Sequence, residues 1–84
     1  MSPEVYKIHA QTVVTLLELE KYFDARKYLE VIVCCCMDDL DPVIKGQFRL
    51  ALSNLNLGIG NEDPYFFLDI AASNLRDILT SLRS

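Results

Sequence analysis

Apolar residues recur along this chain in steps of three and four, and no run alternates with the period of two that marks a half-buried strand. Ile8, Val13, Leu16, Leu17 and Leu19 form the first stripe, and Tyr22, Ala25, Leu29, Ile32 and Cys36 continue it. Ser2-Pro3-Glu4 supplies a start: a serine cap, a proline at the first helical position where a missing N–H costs nothing, and a carboxylate near the positive end of the helix dipole. Nothing breaks the pattern before Asp38. Yet one helix from Pro3 to Met37 would be about 52 Å long, too long for a compact domain of this size. A turn is therefore expected near Glu20 to Phe23, with Asp24 opening or lying early in a second helix.

Asp38-Asp39-Leu40-Asp41-Pro42 ends that second helix, and Asp41 as cap with Pro42 in the first turn starts a third. Ile44, Phe48, Ala51, Leu52 and Leu55 are its stripe. Gly58, Gly60 and Asn61 mark the next loop, after which Asp63-Pro64 repeats the Asp-Pro start and Phe67, Ala71, Leu75, Ile78 and Leu82 form the fourth stripe. Short connections favour antiparallel neighbours. The predicted fold is all-α, a single helical domain over residues 1–84 with four helices as two stacked antiparallel helical hairpins. An up-and-down four-helix bundle is the alternative.

Within this pattern the interval Leu16 to Ile32 resembles part of a tetratricopeptide repeat, a helix–turn–helix unit of about 34 residues. Leu16 matches the large residue late in the first helix, Tyr22 the aromatic at the turn, Ala25 the small residue where two helices cross, and Leu29 and Ile32 later packing positions. Glu20 stands where the repeat usually has its turn glycine. The fourth helix repeats the spacing, since Ala25, Leu29 and Ile32 correspond to Ala71, Leu75 and Ile78 at an offset of 46 residues. The resemblance implies two related hairpins that offer a concave apolar surface to an amphipathic helix of a partner. A chain of this size and acidity is also similar in kind to the small tetratricopeptide-like chaperones of bacterial type III secretion.

Composition narrows the setting. With 84 residues there is room for one core and no second lobe to form a cleft. The apolar fraction of 51% is high for a chain so short, so some apolar area is expected to need a partner or a second copy to cover it, as a homo-oligomer would. Net charge is −4 with no cluster of Lys and Arg, which removes the electrostatic basis for a nucleic-acid partner. The longest apolar run, Val31 to Met37, is far short of the roughly 20 residues a membrane span needs, and the N-terminus lacks a basic stretch followed by an apolar one. A cytoplasmic protein is expected. Cys34, Cys35 and Cys36 are adjacent, without the spacing of a disulfide framework or a zinc site, and are expected as reduced, mostly buried helix residues.

No grouping of residues announces reaction chemistry, so the expectation is a non-enzymatic protein with no cofactor, metal or catalytic site. His9 has no nucleophile or orienting group in its sequence neighbourhood and reads as a partly exposed helical residue. Asp38, Asp39 and Asp41 lack the loop, glycine and terminal Glu of a calcium site, and Gly58-x-Gly60 is too short for a phosphate loop. More telling are two wraps: Tyr65-Phe66-Phe67 spans about 200° of a helix, and Val31 to Met37 circles one completely. One intramolecular face cannot cover either. Met37, Tyr65, Phe66, Val31 and Val33 are therefore the candidate partner-binding residues, on an adaptor or chaperone that binds another protein. The second reading is a small acidic immunity protein or antitoxin that neutralises a toxin by direct binding. Acidic residues scattered along the chain weigh against it.

Overall fold

In the computed structural model, residues 3–35, 41–63 and 65–82 are described. They form four helices, α1 (Pro3–Glu18), α2 (Tyr22–Cys35), α3 (Pro42–Ile59) and α4 (Tyr65–Leu82), and no strand occurs among the described residues. Among them, too, no helix is long and apolar enough to cross a membrane. The all-α, four-helix expectation holds. Helices adjacent in the chain pack on one another, and α1 closes the ring against α4. His9 and Tyr28 link α1 to α2, Glu18 and Arg76 link α1 to α4, and Gln47 and Asn74 link α3 to α4. Two face-to-face hairpins and an up-and-down bundle share this ring. The longest dimension is 37 Å, shorter than one continuous helix through Met37 would be.

The core explains the register of each helix. Ala25, Leu29 and Ile32 of α2, Phe48, Ala51 and Leu55 of α3, and Ala71, Leu75 and Ile78 of α4 are all buried, on the stripes that periodicity predicts. Helix α1 departs from its predicted stripe: Ile8 and Leu19 are exposed, and the buried face is Tyr6, Ala10, Val13, Val14 and Leu17. The reason is a choice between two overlapping stripes. Tyr6 and Ala10 continue the Val13–Val14–Leu17 face at steps of three and four, whereas Ile8 lies about 200° around the helix from Tyr6. Tyr6 then reaches across the centre to Phe48, ring centroids 6.2 Å apart, so the first and third helices meet through aromatic side chains.

The ends follow local chemistry. Asp41 caps α3 by accepting a 2.8 Å hydrogen bond from the Val43 N–H, with Pro42 in the first turn, as expected. The cap expected of Ser2 and the Pro64 start lie outside the described residues. Gly58 does not open the loop. It is buried inside α3, whose stripe runs on to Ile59, and the helix ends at Gly60, whose N–H donates back to the Asn56 carbonyl.

The first turn is tighter and a little earlier than expected, over 19–21. Glu20 has φ of 61°, in the left-handed region that glycine adopts freely and an L side chain adopts at a cost of about 1–2 kcal/mol. Two hydrogen bonds hold it there: the Lys21 N–H donates to the Leu16 carbonyl at 2.9 Å and the Glu20 N–H to the Leu17 carbonyl at 3.1 Å. This is the helix-ending motif that normally carries glycine at its left-handed position. A carboxylate sits there instead.

Candidate partner-binding surface

The turn at 19–21 joins α1 to α2 and the loop after Ile59 joins α3 to α4, and the two lie close together. The ends of α1 and α3 arrive there and α2 and α4 leave. Electrostatics register the proximity. The Tyr22 phenol is held above its ordinary pKa by desolvation first, then by the negative charge of Glu20, then by Tyr65, so the start of α4 lies beside the start of α2.

Apolar side chains collect at this end without entering the core. Tyr65 and Phe66, the first two residues of α4, are 62% and 65% exposed, while Phe67 is half-buried. Phe66 heads the outward face of α4, followed at helical spacing by the exposed Asp69, Ser73, Arg76 and Thr80. No core packing requires a phenylalanine on that polar face, and its ring touches only Phe67, edge to face at 5.2 Å, among the described ring contacts. Phe23 stands in the same relation to α2: it is 66% exposed and heads the outward face that continues through Lys27, Glu30 and Cys34. Leu19 and Leu57 add exposed apolar side chains from the ends of α1 and α3.

The sequence-predicted residues divide. Tyr65 and Phe66 sit together at the hairpin-loop end. Val31 is exposed but lies nine residues beyond Tyr22, about 14 Å along α2. There it borders a shallow apolar pocket of about 360 Å³, with His9, Asp24, Tyr28 and Ile32 among the other walls. Val33 is half-buried against the core. Met37 lies outside the described residues. Phe23, Leu19 and Leu57 were not singled out from sequence, although Tyr22-Phe23 carries the same signal as Tyr65-Phe66: adjacent aromatics about 100° apart cannot both face one core.

Other predicted groups have structural employment. His9 Nδ1 and the Tyr28 hydroxyl share a 2.6 Å hydrogen bond that joins α1 to α2. Cys34 is exposed, contrary to the expected burial, because it lies two residues past the buried Ile32 and so faces away from the core. Cys36, Asp38 and Asp39 lie outside the described residues. An open groove of about 730 Å³ between α1 and α4 has a mixed lining, with Gln11, Thr12, Thr15, Arg76 and Thr80 beside Ile8, Leu16 and Leu79.

Charge is also unevenly placed. The segments 18–24 and 57–69, which make up the hairpin-loop end, contain Glu18, Glu20, Asp24, Glu62, Asp63 and Asp69 and a single base, Lys21. All seven are exposed. Six of the twelve acidic residues thus lie at one end. No family model, curated protein or solved structure matches this chain.

Proposed function

We propose that the protein is a non-enzymatic, cytoplasmic interaction module, an adaptor or chaperone that covers an amphipathic helix of another protein with its hairpin-loop end. The observation that carries this reading is the exposure of Tyr65 and Phe66 on the first turn of α4, on a helix whose core stripe is already complete without them. Aromatic rings are the side chains most enriched at interface centres, because they bury much area at little entropic cost. The likeness of Leu16–Ile32 to a tetratricopeptide hairpin agrees with it, and a type III secretion component is the most specific client that likeness suggests.

A second reading, an immunity protein or antitoxin, draws support from one observation, the acidic residues gathered around the same surface. Opposite charge speeds the encounter with a basic toxin.

The test is to isolate the chain with its native partner and compare Phe66→Asp and Tyr65→Ser with the parent. Binding should weaken by about 2 kcal/mol or more for Phe66→Asp, the scale of an interface hot spot, with the helical circular dichroism unchanged. Normal binding by both folded variants removes the surface from the interface. The partner's identity separates the readings, since a secretion component and a toxin are different proteins.

A further inference from the structure

We infer that the hairpin-loop end takes a basic amphipathic helix, one whose apolar stripe is flanked by Lys or Arg. This rests on the helix-binding reading above and adds the chemistry and place of the partner.

Three observations lead to it. Exposed Leu19, Phe23, Leu57, Tyr65 and Phe66 supply the apolar contact, each more than half exposed. Around them stand six carboxylates and three bases, Lys21, Arg26 over the Phe23 ring and Arg76 on Glu18, a net of −3 out of the protein's −4. Most of the protein's net negative charge therefore lies at this end. Two helix C-termini and two N-termini meet there, so the helix dipoles largely cancel and the side-chain carboxylates set the local potential. The third observation is internal: the Arg26 guanidinium lies 5.3 Å from the centroid of the Phe23 ring, so this exposed ring already accepts a cation.

The same features choose among occupants. No strand edge exists among the described residues to which a strand could be added, whereas a helix arrives with its backbone hydrogen bonds already satisfied. An acidic helix, a nucleic acid or an anionic membrane would be repelled by the carboxylates. The α1–α4 groove is larger and of mixed polar and apolar lining, and Arg76 on its wall is already paired with Glu18 at 3.8 Å.

The test uses the whole chain and synthetic amphipathic peptides of about five helical turns with one leucine stripe. Their polar faces carry lysine, glutamine or glutamate, and a fourth peptide has the lysine composition in scrambled order. Fluorescence anisotropy at physiological salt should give binding of the lysine peptide about tenfold or more tighter than the glutamine peptide, with the glutamate and scrambled peptides weaker still. Backbone amide shifts of the unmutated protein should concentrate in 18–24 and 57–69. The reversal Glu20→Lys, Glu62→Lys, Asp63→Lys should invert the preference towards the glutamate peptide. Equal binding of the scrambled peptide, or shifts centred on Val31 or the α1–α4 groove, overturns the inference. Preference for the glutamine or glutamate peptide overturns it while leaving the helix-binding reading in place. Failure of every peptide to bind removes both. The shift map stands on the unmutated protein even if the reversed variant does not fold.

Discussion

The two hairpins of this protein are built on one pattern and locked in two ways. At an offset of 46 residues, Ala25, Leu29 and Ile32 coincide with Ala71, Leu75 and Ile78, and all six are buried. The same offset places Tyr28 opposite Asn74. Each is the polar clip of its hairpin, but they differ in kind. Tyr28 makes a part-buried bond to His9, whereas Asn74 is 8% exposed, accepts from Asn54 Nδ2 at 3.2 Å and donates to Gln47 Oε1 at 3.3 Å. A buried amide with partners on both atoms is satisfied in one register only. The first hairpin has a one-bond clip and a tighter turn, closed by a strained Glu20; the second has a longer loop and a two-bond clip. Register can be held at the turn or in the interface.

The largest expected effect tests the shared pattern. Ala25→Leu and Ala71→Leu should each overpack a fully buried site and cost about 1–3 kcal/mol, measured by chemical or thermal unfolding. If only one of them destabilises, the hairpins are not equivalent at the level of packing and the offset is a coincidence of spacing.

A smaller effect sharpens the difference between the clips. Asn74→Ala removes a buried amide from two partners and should cost about 1–2 kcal/mol, while Tyr28→Phe deletes one part-buried hydroxyl and should cost about 0.5–1 kcal/mol. Reversal of that order in denaturant titrations would place the stricter lock in the first hairpin.

Smallest, and opposite in sign, is the turn. Glu20→Gly relieves the left-handed strain, offset in part by the greater freedom of glycine in the unfolded chain, and should raise stability by up to about 1 kcal/mol. A lower melting temperature for this variant would mean that the Glu20 side chain contributes more than its backbone conformation costs. Exposed Glu18–Arg76 gives little to weigh against these terms, since surface pairs contribute about 0–1 kcal/mol.

By itself the amino-acid order determined the local part of this protein. Helical period, the Asp41-Pro42 start and the buried stripes of α2, α3 and α4 follow from interactions a few residues long, and so they were legible. The aromatic wrap at Tyr65-Phe66-Phe67 was legible for the same reason: adjacent rings cannot share one face of a helix. Only the tertiary structure decided which of two overlapping stripes α1 buries, because Tyr6 gains its place from Phe48, forty-two residues away. It also decided that Val31 and Phe66 lie in different parts of the bundle, that Phe23 joins the latter, and that acidic residues distant in sequence surround them. Helix packing brings two loops to one end, and no pattern along a single helix encodes where another helix will stop.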